Sequence, residues 1–383
     1  MKQQAIPAVF MRGGTSKAIM FHERDLPTDR EDWTPLFVAA MGSPDPHGRQ
    51  LNGMGGGVSS LSKVCVLAPS TRADADIDYT FAQVMIKEAR VDYRSNCGNM
   101  SSAVGPFAVD EALVRVEGDV ATVRIFNTNT KKIIRSTFAV EDGVARYDGD
   151  LVIPGVSGSG APIRLDFMAP GGATTGALLP SGHVTDHLDV PGFAALEVSL
   201  VDAANAAVFL RAHDVGLTGV ELPDEFEARS DILVLLETIR RAASVRMGIA
   251  PDVESAASIT SVPFVCLVSQ PADSSSVSGE TIKSSEVDLV ARVISNGQPH
   301  RALPLTISLC TAVAARVNGS VVAQLLHSPT SNETLRLGMP SGVLNVNAEV
   351  SFENDEWVAR AGSFYRTARR LFDGRVWVPG DVS

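Results

Sequence analysis

Asn96-Cys97-Gly98-Asn99-Met100-Ser101-Ser102-Ala103-Val104-Gly105-Pro106-Phe107-Ala108-Val109-Asp110-Glu111-Ala112-Leu113-Val114 is the stretch that decides the fold. From Gly98 to Val114 its residues are mostly small or apolar, which predicts a short buried helix disturbed by Gly105-Pro106. A second run, Leu303–Val317, is apolar almost all round, the mark of a helix enclosed by protein rather than lying on a surface. Each run follows a polar loop, Arg94–Cys97 in the first case and Ser295–Arg301 in the second.

Around these two segments the chain reads mainly as strands. Ile6–Met11 and Ala18–Phe21 flank the turn Arg12-Gly13-Gly14-Thr15-Ser16-Lys17. Val64–Leu67, Asp76–Ile86, Val91–Tyr93, Val120–Asn127 and Ile133–Glu141 are rich in β-branched and aromatic residues, and Thr334–Val378 returns to strands. A helix is expected over Arg30–Met41, opened by Thr28 or Asp29 and stopped by Gly42-Ser43-Pro44. Glu221–Arg246 carries charges and leucines at helical spacing, whereas Ala272–Ser285 is a serine-rich loop. The organisation is two halves, each with several strands and one enclosed helix. The boundary is expected near Gly182–Gly192, giving 1–185 and 186–383, with the last C-terminal strand free to join the first half. No residue-level repeat is visible.

A chain of 383 residues fits two domains of roughly 100–200 residues each. With 45% apolar and 20% charged residues it is neither disordered nor fibrous. A net charge of −11 without a basic patch argues against nucleic-acid binding. The uncharged run Ala302–Ala315 falls short of the ~20 residues a bilayer needs, so no membrane role is expected. Cys65, Cys97, Cys266 and Cys310 form no CxxC pair, which fits free thiols in a cytoplasmic protein.

Three stretches carry chemistry. Asn96-Cys97-Gly98-Asn99 opens the first enclosed helix, where unpaired N–H groups and a partial positive charge favour a thiolate, a carboxylate or an enolate oxygen. The residues alone leave a reactive thiol and a structural one both open. Gly53-Met54-Gly55-Gly56-Gly57-Val58-Ser59-Ser60-Leu61-Ser62-Lys63 is glycine- and hydroxyl-rich, yet matches neither a Walker A loop nor a dinucleotide fingerprint. Lys63 enters a strand and would be partly desolvated, as a proton-transferring amine requires, although a flexible loop ending in a solvated lysine explains the composition too. Arg12–Lys17 sets two cations around Gly-Gly-Thr-Ser, either a hairpin turn or a carboxylate cradle. Pro340-Ser341-Gly342 reads as a turn. His183 and His187 have metal-pair spacing but no third ligand, so no metal is expected. There is no G-x-S-x-G elbow for a serine hydrolase.

Together these motifs resemble the PrpF-type isomerases. The resemblance rests on Met11–Lys17, Gly42-Ser43-Pro44-Asp45, Gly53-Met54-Gly55-Gly56 with Ser62-Lys63, Asn96-Cys97-Gly98-Asn99 and Pro340-Ser341-Gly342. Val104-Gly105-Pro106-Phe107-Ala108 and Arg246-Met247-Gly248 add to it, and the likeness runs from about residue 5 to about residue 380. It implies an α+β, diaminopimelate epimerase-like fold: two similar halves, each with a mixed or antiparallel sheet wrapped around a central helix. It implies isomerisation of an unsaturated di- or tricarboxylate of the aconitate or 2-methylaconitate type, by cis–trans change or allylic proton shift, without metal or organic cofactor. A homodimer is a further expectation from the family.

By the same resemblance Lys63 and Cys97 are the acid–base pair, and Arg12, Thr15, Ser16, Lys17, Met54, Ser60, Ser62, Asn96, Gly98, Asn99, Ser295, His300, Ser341 and Gly342 bind substrate. Arg12, Lys17, Lys63, His300 and Arg301 would supply the cations a trianion needs. The epimerases carry a cysteine at the head of each central helix; here Cys310 lies about two turns inside the second, which disfavours a two-cysteine racemase. Gly176–Gly182 resembles 4-oxalomesaconate tautomerases, though followed by His183 rather than asparagine, and Ser295–Arg301 departs from the methylaconitate pattern. Those tautomerases are thus the alternative substrate reading. A non-catalytic carboxylate-binding protein is the alternative of another class, and a thiol hydrolase would need a histidine beside Cys97.

Overall fold

The structure, a computed structural model, describes residues 2–93, 97–193, 195–295, 297–326 and 334–380. In chain order the elements begin β1 (Gln3–Gly13), β2 (Ser16–His22), α1 (Trp33–Met41), β3 (Lys63–Pro69), β4 (Ile77–Val84), β5 (Val91–Asp92), α2 (Gly98–Asp110), β6 (Val120–Asn127), β7 (Lys132–Glu141), β8 (Val144–Ala145) and β9 (Ile163–Met168). They continue with β10 (Asp186–Leu188), β11 (Leu196–Ala203), β12 (Asn205–Arg211), α3 (Pro223–Glu227), α4 (Ser230–Arg246), α5 (Val253–Ala256), β13 (Phe264–Ser269), β14 (Ser274–Ser275) and β15 (Thr281–Ile282). The last are β16 (Leu289–Ser295), β17 (Gln298–Pro299), α6 (Leu305–Ala314), β18 (Leu335–Met339), β19 (Gly342–Glu353), β20 (Glu356–Arg366) and β21 (Ala368–Pro379). No helix among the described residues is long and apolar enough to cross a membrane.

Both enclosed helices are present and shorter than their apolar runs. All ten residues of α6 are buried, as is α2 from Met100 to Val109. α2 stops at Asp110 because Ala112 takes a positive φ of 54° and the N–H of Leu113 turns back to the Ala108 carbonyl. Pro106 sits inside α2 without ending it. Gly105 is required by contact: a Cβ there would lie 2.5 Å from Ser136 Oγ and 2.7 Å from the Phe138 ring on β7. The helix expected over Arg30–Met41 is split. A 3₁₀ turn at Arg30–Asp32 is capped by Asp29, whose side chain accepts from Glu31 N, and α1 then ends on Gly42 at φ 76°. The serine-rich Ala272–Ser285 is no plain loop, since β14 and β15 pair across it and bury Ser274, Ser276 and Ile282.

Two compact units result, 1–166 with 365–383, and 167–364; β9 and β20 carry the chain across the division. The division falls earlier than the expected 185/186. The glycine-rich stretch after β9 bonds to β11, with Gly172 N donating to Asp202 O and Asp202 N to Leu178 O.

The two units share one strand order. In the first, β1–β2 is antiparallel, β2–β3 parallel, β3–β4 antiparallel, β4–β6 parallel and β6–β7 antiparallel. In the second, β11–β12, β12–β13, β13–β16, β16–β18 and β18–β19 repeat that alternation. One ion pair marks the repeat. Arg124 clamps Asp76 through Nε, Nη2 and its backbone N–H, 48 residues apart, and Arg336 clamps Asp288 through the same three groups at the same separation. Each arginine also reaches a carbonyl three residues before its aspartate, Ala73 or Ser285.

In the first unit the sheet is covered on both faces. Phe10, Ile19, Phe21, Val64, Val66 and Ala82 pack with Trp33 and Phe37 of α1. The register places Ser16, Met20, Lys63, Cys65, Phe81 and Gln83 on the opposite face, against which α2 lies. Gly105→Ala is expected to destabilise the fold by about 1–3 kcal/mol through overpacking, outweighing alanine's better helix propensity. A urea-unfolding midpoint at or above that of wild type would refute the contact argument.

Candidate active site

The head of α2 is built from three pieces of the first unit. Cys97 is its N-cap, in extended conformation (φ −108°, ψ 96°), and its side chain makes no capping bond. The carbonyl of Cys97 accepts from the N–H and hydroxyl of Ser101, which fixes the first turn. The β1–β2 turn lies directly on this turn. A Cβ on Gly13 would come within 2.6 Å of the Asn99 carbonyl, and one on Gly14 (φ 51°) within 2.1 Å of Asn99 Oδ1. Only glycines allow that approach. Asn99 and Thr15 then lock each other: Asn99 Nδ2 donates to Thr15 Oγ1 at 3.1 Å, and Thr15 N donates to Asn99 Oδ1 at 3.4 Å.

The third piece is Arg366, at the end of β20. It is 6% exposed and donates from Nε to Asn99 Oδ1 at 3.4 Å and from Nη1 to the Tyr365 carbonyl. Burial lowers its guanidinium to about 10. No sequence motif marks this arginine, which lies 267 residues from Asn99.

Lys63 opens β3 on the face toward α2 and is 7% exposed. Its Nζ donates to Gln83 Oε1 at 2.5 Å and sits 5.1 Å from the Phe81 ring centroid. Cys65 is next on the same face. Burial pushes its thiol far up, Cys97 adds to this, and Tyr79 and Lys63 oppose it. Cys65 Sγ meets Tyr79 Oη at 3.8 Å, and Tyr79 in turn meets Ser101 on α2.

The glycine-rich loop folds around a buried side chain, which takes up part of its backbone donors. Gln50, fully buried and missed by sequence reading, is its hub. Its Nε2 donates to Ser43 Oγ and Ser62 Oγ, its Oε1 accepts from Gly57 N, and a Cβ on Gly55 would overlap its amide. Met54 N and Gly55 N donate to α1 carbonyls. Ser62 is spent inside this frame, donating to Val84 O, and Ser60 sits half-buried in the following 3₁₀ turn.

Not every expected ligand joins this group. Ser16 and Gly98 are on the α2 side and buried. Asn96 lies outside the described residues. Lys17 pairs with Arg12 on the opposite face, its Nζ 5.8 Å from the Phe10 ring, and Met54 packs against the α1 core. Arg12 is committed to the turn: Nη1 donates to Gly14 O, Thr367 O and Thr367 Oγ1. A cradle between Arg12 and Lys17 is therefore not formed, because strand parity turns both side chains away from Cys97.

The second unit holds a counterpart that differs at the helix cap and at the start of the strand, while Cys266 stands at the place of Cys65. The repeat aligns β3 with β13 and β4 with β16, so Phe264 stands at the place of Lys63 and Ser295 at that of Gln83. Ser295 Oγ and His300 Nε2 are 2.7 Å apart, the His300 ring is 6.0 Å from Phe264, and burial lowers the imidazole below its ordinary range. Pro304 is the N-cap of α6, where α2 has Cys97, and Asn205 donates to Thr306, the Asn–Thr pair of the first unit with its members exchanged. Ser341 Oγ, in the turn before Gly342, is buried with no hydrogen-bond partner among the described residues. Arg301 pairs with Asp224 on the surface. Among the described residues no group of three or more His, Cys, Asp or Glu is placed to hold a metal ion.

The sequence profile described as "PrpF protein" matches residues 3–379. The chain belongs to the PrpF family. Within it, the chain is 42% identical to the 3-methylitaconate isomerase of Eubacterium barkeri, over 98% of each chain. It is 37% identical to the 2-methyl-aconitate isomerase of Cupriavidus necator (99% of this chain, 98% of the relative) and 38% to the 4-oxalomesaconate tautomerase of Pseudomonas putida (100% and 98%). A crystal structure of methylitaconate-delta-isomerase superposes with a TM-score of 0.88 at 41% identity, covering 99% of this chain and 96% of that one. A hydroxyproline epimerase from Agrobacterium vitis reaches 0.54 at 12% identity (99% and 94%), a likeness of fold alone. This PrpF chain has the α+β, diaminopimelate epimerase-like architecture, doubled as its strand order repeats.

Thiol accessibility follows from the geometry. Cys97 is half-buried, whereas Cys65, Cys266 and Cys310 are fully buried; burial raises all three thiols, Cys266 to about 12. Native protein should release one equivalent of thionitrobenzoate from Ellman's reagent and four in denaturant, with Cys97→Ser abolishing the native signal. A native signal persisting in Cys97→Ser would refute the assignment.

Proposed function

We propose that this PrpF protein is an isomerase of small unsaturated di- or tricarboxylates that moves a double bond by taking and returning one allylic proton, without metal or organic cofactor. What supports this reading is that Lys63 lies on the sheet face against which α2, the helix capped by Cys97, packs. The compounds for which the relatives are named share one feature, a C=C conjugated to a carboxylate with an allylic C–H beside it.

Lys63, as the neutral amine, removes the allylic proton. The C–H electron pair becomes the new C=C, and the old π pair moves onto the conjugated carboxylate as a dienolate. That charge develops at the positive end of α2, where the N–H groups of Gly98 and Asn99 point out of the first turn. Thr15 Oγ1 already accepts from Asn99, so its own hydrogen is directed to another acceptor, with Ser16 beside it. Return of the proton to the far carbon completes a 1,3-shift; rotation about the bond that is single in the dienolate gives a cis–trans change instead. Cys97, at the helix head, is the partner acid–base group.

Methylitaconate- and methylaconitate-type acids are the first substrate class. The 38% identity to a 4-oxalomesaconate tautomerase over the whole chain supports that tautomerisation as a second reading, by the same two residues. Proton NMR of 3-methylitaconate, 2-methylaconitate, the aconitates and 4-oxalomesaconate with enzyme in D₂O tests both. One compound is expected to isomerise with deuterium entering its allylic carbon, and Lys63→Ala to lower kcat by about 10²–10⁴-fold. Full turnover in Lys63→Ala, or no change in any of these acids, would overturn the reading.

A further inference from the structure

Between Lys63 and the loop stands a residue that no motif marks. Gln83 faces Lys63 directly in the β3–β4 register. Its Nε2 donates to two backbone carbonyls, Ser59 O at 3.1 Å and Ser62 O at 2.9 Å. Two carbonyls can only accept, so they fix which end of the amide is nitrogen, and Oε1 is left pointing at Lys63 Nζ, 2.5 Å away. The carbonyls are themselves held. Ser62 is pinned by Gln50 and by Val84, and Ser59 lies in the 3₁₀ turn that closes the glycine-rich loop.

We infer that Gln83 is a positioning residue for Lys63, an uncharged acceptor that aims the amine without holding it as ammonium. The inference rests on Lys63 being the base proposed above. Its strength lies in what the alternatives would do. A carboxylate at this position would attract a proton to the amine, and an apolar side chain would let a four-carbon stem swing. Asp92 lies opposite Gln83 in the β4–β5 register, so the amide separates the amine from the carboxylate one strand further on. The other titratable groups on this face are Cys65 on β3 and Tyr79 on β4; Cys97 caps the helix packed against it, Arg366 bonds to Asn99 on that helix, and His22, further along the face, is paired with Glu111. In the repeat, Ser295 occupies the place of Gln83 and Phe264 that of Lys63, so the glutamine goes with the lysine.

The test compares Gln83→Glu, Gln83→Met and Lys63→Ala in the full chain, using whichever acid the wild type isomerises. Gln83→Glu should move the rising limb of the kcat/KM–pH profile up by about 1–3 pH units, because a carboxylate within 4–6 Å favours the ammonium form. Gln83→Met, of similar length without an acceptor, should lower kcat by about 10–100-fold with KM within about threefold, as a displaced base does. It also serves if Gln83→Glu, which sets a carboxylate against two carbonyls, fails to fold. An unmoved pH limb in Gln83→Glu or an unchanged kcat in Gln83→Met, with Lys63→Ala inactive, would overturn the positioning role and leave Lys63 as base. An active Lys63→Ala would instead overturn the reading on which the inference rests.

Discussion

The contact on which the first unit turns is the seating of a two-glycine hairpin on the first turn of α2. A helix head carries N–H groups that need acceptors, and burying it without them is costly. Here Gly13 and Gly14 bring backbone within a Cβ's width of Asn99, and the Asn99 side chain fills the remaining space against Thr15 and Arg366. The site is thus positioned by packing before any substrate arrives. In the second unit the turn is Ala203-Ala204-Asn205, without glycine, and what recurs is the Asn–Thr contact, with the asparagine on the turn and the threonine on the helix. What differs is the chemistry at the head: a cysteine cap in one copy, a proline in the other.

A second layer lies under the lysine. The glycine-rich loop looks made for an anion, but the N–H groups of Gly53, Met54, Gly55 and Gly57 bond to Gln50 and to α1. Its glycines let the chain fold tightly around a buried amide, and that frame fixes the carbonyls to which Gln83 is anchored. The loop's contribution is geometric. It holds a lysine at the start of a strand, where a side chain of that length would otherwise sample many rotamers.

Some of this was legible in the sequence for physical reasons. A helix apolar all round has only one stable place, and both such runs are central helices. Val120–Asn127 alternates clearly enough to match its strand to the residue. Cys97 and Lys63 stood out because each occupies a position where unusual chemistry has a structural cause. The Asp76–Arg124 and Asp288–Arg336 pairs were not legible, since 48 residues separate partners that meet only through a parallel strand pairing. The face that Lys17 occupies was not legible for a related reason: it depends on register, and register comes from partners remote in sequence. Gln50, Gln83 and Arg366 are single polar residues whose meaning comes entirely from what surrounds them.

The first unit is discontinuous, and this orders its birth. Residues 1–166 wait for 365–380, and with them Arg366 and the carbonyl of Thr367 that receives Arg12. On a ribosome the whole second unit emerges in between as one uninterrupted run, able to collapse around α6 while the earlier half still lacks β21, which pairs along the length of β1. Domains usually fold in the order they are made. In this chain the half bearing Cys97 and Lys63 is begun before the second unit and closed after it, so its sheet is complete only once β21 has been made.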